Sequence, residues 1–104
     1  MTRYLQQRVD DRIHRKTKTG RKDEGDIGGL RSPLGERIAV EAKDYGGRIL
    51  ASEWVREAQV EAGNYDAVAG VVFAKRRGTT DPGEQFVLMT AKDFVAIIGG
   101  ETDE

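Results

Sequence analysis

A nearly unbroken apolar run in the second half of the chain predicts a buried central strand. Residues 67–74 read Ala-Val-Ala-Gly-Val-Val-Phe-Ala. A run of this length is typical of a strand that is covered on both faces. Shorter segments at 26–30, 37–44 and 85–89 predict three further strands. Residues 31–36, between the first two of these, contain a proline and a glycine, which favour a turn.

Three segments have the spacing of helices with one apolar side. The first covers residues 4–13. The second begins at Ser52, a suitable N-cap, and is expected to end at Gly63 and Asn64. Its apolar stripe contains Trp54, Val55, Ala58 and Ala62. The third follows Thr90, which with Asp93 has the spacing of a capping box. Its docking residues are predicted to be Phe94, Val95, Ile97 and Ile98.

The predicted order is helix, strand, strand, helix, strand, strand, helix. A hairpin followed by a strand–helix–strand crossover gives an α/β fold in which a mixed central β-sheet is flanked by helices. Residues 14–25 are polar, basic and contain glycine, so they are expected to form a loop. We expect one domain over residues 1–100, followed by an acidic, disordered tail at 101–104.

The residues that could carry out catalysis lie on the predicted hairpin. Asp26 lies in Gly-Asp-Ile-Gly-Gly, and Glu41 and Lys43 form Glu-x-Lys on the next strand. Since side chains alternate between the two faces of a strand, Glu41 and Lys43 point to the same side. The residues expected to face the core are Ile38, Val40 and Ala42. An acid followed by Glu-x-Lys can hold a divalent cation against a phosphodiester. The alternative is an ordinary ion pair on a half-solvated strand.

The amino-acid composition excludes several classes of protein and of functional site. The chain has 104 residues, a net charge of −1 and no cysteine, which excludes a disulfide scaffold, a thiolate nucleophile and cysteine-based zinc sites. It has neither an apolar run of membrane-spanning length nor a signal-peptide pattern, so a soluble, cytoplasmic protein is expected. A small domain of this kind gains from burying a face against a second copy, which favours a homodimer.

The charge is unevenly distributed along the sequence. Two basic clusters flank the candidate site: Arg12, Arg15, Lys16, Lys18, Arg21 and Lys22 in the first, and Lys75, Arg76 and Arg77 in the second. A solvated face is one interpretation of such clusters. Their position on both sides of a candidate metal site favours contact with a DNA phosphate backbone.

Taken in this order, the motifs resemble those of the PD-(D/E)XK nuclease superfamily, and more narrowly the phage-encoded and archaeal-type Holliday-junction resolvases. The matching segments are Asp-Glu-Gly-Asp-Ile-Gly-Gly at 23–29, Val-Glu-Ala-Lys at 40–43, Trp-Val-Arg-Glu-Ala at 54–58 with Gln59 and Glu61, Ala-Gly-Val-Val-Phe-Ala-Lys-Arg-Arg-Gly at 69–78, and Met-Thr at 89–90. The likeness covers roughly residues 10–98.

The resemblance implies a restriction-endonuclease-like core and a Mg²⁺-dependent endonuclease for four-way junctions or other branched DNA. Asp26, Glu41 and the carbonyl of Ala42 would be metal ligands, with Mn²⁺ as the alternative metal, and Lys43 would position the attacking water. Such a protein would act in DNA recombination as a homodimer, in the host cytoplasm if it is phage-encoded. Gln59 is a weaker site candidate, because a solvated helix face is the better explanation for it.

The sequence departs from this resemblance at one point. Resolvases of this type usually carry a further catalytic glutamate on the first helix, before the equivalent of Tyr4, and no glutamate stands there. Asp10, Asp11 and Glu24 are candidate substitutes, and the sequence does not select among them. The departure supports a second hypothesis, a non-catalytic DNA-binding protein on the nuclease fold. A third is a nuclease for flaps, nicks or ends.

Overall fold

Five strands lie side by side in a single mixed sheet in the computed structural model, which describes residues 1–16 and 27–101. The strands, in both chain and spatial order, are β1 (His14–Arg15), β2 (Ile27–Gly28), β3 (Ile38–Lys43), β4 (Ala69–Ala74) and β5 (Phe86–Leu88). The helices are α1 (Thr2–Arg8), α2 (Ala51–Asn64) and α3 (Ala91–Ile97), with a 3₁₀ turn at Pro82–Glu84. The predicted α/β class and mixed sheet are therefore confirmed.

Strands β3 and β4 form the centre of the sheet and run parallel, whereas the other neighbouring strands are antiparallel. Helix α2 makes the crossover between them, so it must run back along the sheet in the opposite direction. It packs so closely that the backbone of Ala58 leaves no room for a side chain at position 70, and Gly70 is the residue there. This contact fixes α2 directly over β3 and β4.

Both faces of the central strands are covered. One core contains Leu5, Ile13, Ile27, Ile38, Val40 and Val71, against which Ile97 of α3 packs. The other core lies under α2 and contains Trp54, Ala58, Val72 and Ala74. The predictions that β4 is buried on both faces and that Trp54 is a core residue are confirmed, since Trp54 is 1% exposed.

Helix α1 is shorter than the sequence predicted. It ends at Arg8, because the Asp10 carboxylate accepts a hydrogen bond from the backbone N–H of Arg12 at 2.9 Å. This local turn competes with helical hydrogen bonding. Ile13 is still fully buried, and its carbonyl accepts from Gln6 Nε2 at 2.7 Å.

Other element boundaries also differ from prediction. Ser52 is not the N-cap of α2, which begins at Ala51 without a side-chain cap. The predicted end of this helix is confirmed, since α2 ends at Asn64. Strand β2 is only two residues long because Gly29, at a φ of 85°, turns the chain away from the ladder.

Helix α3 docks differently from the prediction. Phe94 and Ile98 are 51% and 63% exposed, so they do not dock it. Thr90 does cap the helix, accepting from the N–H of Asp93 at 3.1 Å. The Asp93 carboxylate accepts from the Gly70 N–H at 3.0 Å and so joins α3 to β4.

No helix in the described ranges has both the length and the apolar character needed to span a membrane.

Candidate functional site

Glu41 and Lys43 occupy the α2-facing side of β3. The ladder pairs Glu41 with Val72 and Lys43 with Ala74, both of which face the core beneath α2. Glu41 is only 5% exposed, so the alternative interpretation, a half-solvated strand, is wrong at this position. Ala42, expected on a core face, is instead exposed at the end of the strand. The same-face geometry of Glu41 and Lys43 follows the predicted alternation.

Lys43 is held by an acid that the strand pattern did not reveal. Its ammonium lies 2.7 Å from the Glu57 carboxylate on α2, and its side chain is 17% exposed. Burial disfavours the ammonium, but the Glu57 hydrogen bond and the charges of Glu57 and Glu41 outweigh burial, so the pKa of Lys43 is raised. Lys43 is therefore a fixed cation at neutral pH, suited to stabilising negative charge and unsuited to accepting a proton.

A pocket of about 520 Å³ opens over this pair. Its lining residues are Glu41, Lys43, Tyr45, Arg56, Glu57, Val60 and Glu61. The Tyr45 ring contacts Trp54 in a tilted arrangement with a centroid separation of 5.1 Å, which anchors one wall in the core beneath α2. The pocket therefore combines carboxylates and cations over the middle of the sheet.

Glu61 is the most unusual residue of this pocket. It is 7% exposed, and its Oε2 atom has no hydrogen-bond partner among the residues that the structure describes. Its Oε1 atom accepts a long hydrogen bond from Asn64 Nδ2 at 3.5 Å. A buried carboxylate oxygen without a donor is costly, since such groups are nearly always satisfied.

The other residues predicted to belong to the site either lie outside the described residues or do not line this pocket. Asp26 and the candidate substitute Glu24 lie outside the described residues. Asp10 is paired with Arg12 at 2.8 Å, and neither it nor Asp11 lines the pocket. Gln59 also lies away from the pocket, with its amide 3.5 Å from the Thr90 hydroxyl. Within residues 1–16 and 27–101, no three acidic, histidine or cysteine side chains are grouped as a metal site.

A second, smaller pocket of about 240 Å³ lies beside β1 and β2. Among the described residues that line it, none is acidic and four are basic: His14, Lys16, Arg31 and Arg37. The Lys16 ammonium stands 3.5 Å from the centre of the Tyr65 ring. Ala39, two residues before Glu41 on β3, also lines this pocket.

Only some of the cations that were predicted to bind DNA lie within the described residues. Arg12 and Arg15 are exposed, whereas Lys18, Arg21 and Lys22 fall on residues that the structure leaves undescribed. In the second cluster, the backbone N–H of Lys75 donates to the Lys43 carbonyl at 2.8 Å, so the cluster begins beside the acidic pocket.

The side chains of that second cluster contact their own surroundings. Lys75 Nζ donates to the Arg76 carbonyl at 3.1 Å, and Arg76 lies 3.5 Å from the Glu84 carboxylate. Arg77 donates to the Gly46 carbonyl at 3.3 Å. These contacts give the cluster a role in holding loops as well as a cationic surface.

The ionisable residues of these pockets that were missed as site residues include Glu57, Glu61, Arg31 and Arg37. Glu57 and Glu61 are four positions apart on α2, so they share a helix face. A helix that connects two parallel strands must lie on the sheet, and this was the available signal. Which face of that helix meets Glu41 depends on packing at Gly70, which periodicity alone does not give.

Comparison of the chain with protein-family models, with curated proteins and with solved structures found no match.

Proposed function

We propose that this protein is a Mg²⁺-dependent, structure-selective DNA endonuclease with a restriction-endonuclease-like core, acting on four-way junctions or other branched DNA. The observation that carries the proposal is the pairing of Glu41 and Lys43 on one strand face in a pocket. A buried carboxylate beside a cation that stays protonated is what phosphodiester hydrolysis requires. One group holds a metal, and the other offsets charge on the phosphate.

The donor set fits Mg²⁺. Glu41 supplies a carboxylate at the floor of the pocket, and Mg²⁺ prefers carboxylate, carbonyl and water oxygens. By resemblance, the Ala42 carbonyl and Asp26 are the other ligands. Ile27 pairs with Val40 in an antiparallel ladder. Asp26 itself lies outside the described residues, so its assignment rests on the resemblance.

Bound Mg²⁺ would supply an activated water and neutralise charge on the phosphate oxygens. Lys43 stabilises the negative charge that develops during attack, because it remains an ammonium at neutral pH. Glu57 positions Lys43 through the 2.7 Å contact. The basic pocket, with Lys16, Arg31 and Arg37, is suited to other phosphates of the DNA backbone.

A four-way junction is cut in two strands that are related by a twofold axis. A homodimer has two active sites that are related by the same kind of axis. We therefore include a homodimer in the proposal. The test is an assay of a labelled four-way junction and a matched duplex, each with Mg²⁺, Mn²⁺ or EDTA. The proposal predicts metal-dependent nicking of the junction in preference to the duplex, and dimeric mass in solution.

The second candidate is a non-catalytic DNA-binding protein on the same fold. The observation in its favour is the lack, among the described residues, of a group of three metal-binding side chains. Tight junction binding without any metal-dependent cleavage would support it. Cleavage of flaps, nicked duplex or ends in preference to junctions would instead identify a nuclease with another substrate.

A further inference from the structure

The position of Glu61 is set by the geometry of α2 and β3. Glu57 on α2 meets Lys43 on β3. From Lys43 to Glu41 the strand steps back about 6.6 Å, and from Glu57 to Glu61 the helix advances about 6 Å. Since α2 runs opposite to β3, these two steps go in the same direction. Glu61 therefore lies alongside Glu41, and both line the same pocket.

Packing alone does not explain a glutamate at position 61. Its neighbours on the buried face of α2 are Trp54, Ala58 and Ala62, an apolar set that an apolar residue would extend. Glu61 is buried to the same degree, yet Oε2 has no donor within the described structure. A cation that joins a carboxylate in such a position stabilises it, because burial disfavours an isolated negative charge.

We propose that Glu61 is a second carboxylate ligand, with Glu41, of a divalent-cation site in this pocket. The inference deepens the proposed function and rests on it. Mg²⁺ is commonly held in proteins by one or two carboxylates, with water and phosphate completing the shell, so this pair suffices. Glu61 would then supply the further acid that the resemblance places on the first helix, in place of Asp10, Asp11 or Glu24.

The test measures binding of Mg²⁺ and Mn²⁺ to the full chain without DNA, by calorimetry and by the electron paramagnetic resonance of free Mn²⁺. The variants are Glu61→Gln, Glu41→Gln and, as a matched control on the exposed side of α2, Glu53→Gln. We expect Glu61→Gln to raise the Kd for the cation at least tenfold and Glu53→Gln to leave it unchanged. Wild-type protein should melt at a higher temperature with Mg²⁺, and Glu61→Gln should lose that gain.

Each result separates this inference from the proposed function. Wild-type affinity in Glu61→Gln, with loss in Glu41→Gln, would overturn the role of Glu61 and leave the nuclease proposal standing. A wild-type chain that binds neither cation and cuts no DNA would overturn both. If circular dichroism shows that Glu61→Gln is unfolded, Glu61→Asp replaces it. That variant keeps the charge one methylene further from the cation and should weaken binding without abolishing it, whereas unchanged affinity there would contradict the inference.

Discussion

The Lys43 ammonium lies 2.7 Å from the Glu57 carboxylate, which joins the end of β3 to the middle of α2. The contact aligns the helix with the strand that carries Glu41. It also keeps Lys43 charged, because Glu57 and Glu41 outweigh the effect of burial and raise the pKa of Lys43. The same pair therefore fixes both the geometry of the pocket and its charge.

Glu57→Gln should affect cleavage more than stability. Glu57 is 44% exposed, so the ion pair contributes less than about 1 kcal/mol to the free energy of unfolding. The cleavage rate should fall by about tenfold, the effect of some 1.4 kcal/mol on the barrier, because Lys43 is no longer held in place. Urea unfolding and single-turnover cleavage measure the two effects.

The small stability difference between wild type and Glu57→Gln has a defined pH dependence. A raised pKa means that the folded state binds the Lys43 proton more tightly than the unfolded state does. The contribution of the Lys43–Glu57 pair to stability is thus fully present below 10.5, the usual pKa of a lysine. It is lost as pH rises through the raised pKa of Lys43. The two unfolding midpoints should converge at strongly alkaline pH, and a gap that widened there would contradict this account of Lys43.

The basic pocket should contribute to DNA affinity. The double variant Lys16→Gln/Arg31→Gln removes two of its cations. If each contacts one phosphate, the slope of log K against log salt should become shallower by about 0.9 for each cation. The matched control is Arg3→Gln/Arg8→Gln, which removes two charges from exposed positions on α1.

Fluorescence anisotropy with a labelled junction and a duplex, at several salt concentrations, gives these slopes. We expect the pocket variant to lose affinity for the junction and for the duplex to the same extent, because phosphate contacts carry no sequence information. Equal slopes for the pocket variant and the α1 control would show that position does not matter and that the pocket is an ordinary solvated surface.

Two glycines test the packing of α2. A side chain at Gly70 would collide with the Ala58 carbonyl, so Gly70→Ala should lower the free energy of unfolding by at least about 2 kcal/mol. Within α2 itself, a side chain at Gly63 would meet no heavy atom of the described residues within 4 Å, apart from the neighbouring backbone of the helix. Gly63→Ala should therefore stabilise the protein by about 0.5 kcal/mol through its better helix propensity. Opposite signs in urea unfolding are the expected outcome.

The sequence correctly predicted those elements that depend on residues close together in the chain. The apolar run identified β4, alternation put Glu41 and Lys43 on one face, and Thr90 marked the start of α3. These features depend on residues close together in the chain. The end of α1 was missed because the Asp10 side chain forms a turn that competes with the helix.

What sequence patterns could not supply was the relation between elements. Glu41 is buried because α2 lies over it, and Glu61 faces the same pocket because Gly70 sets how α2 lies on β4. Both facts depend on residues distant along the chain. A strand pattern that alternates apolar and polar residues gives the same prediction whether the polar face is covered or solvated.

Glu41→Gln tests the central claim most directly. The substitution removes a charged ligand at nearly constant volume, so the protein should keep its fold and its affinity for four-way junctions. We predict that wild-type protein nicks the junction with Mg²⁺ and not with EDTA, and that Glu41→Gln, like Asp26→Asn and Lys43→Ala, binds the junction but cuts it at least a hundredfold more slowly. Cleavage by Glu41→Gln at the wild-type rate would contradict the account and place the chemistry elsewhere.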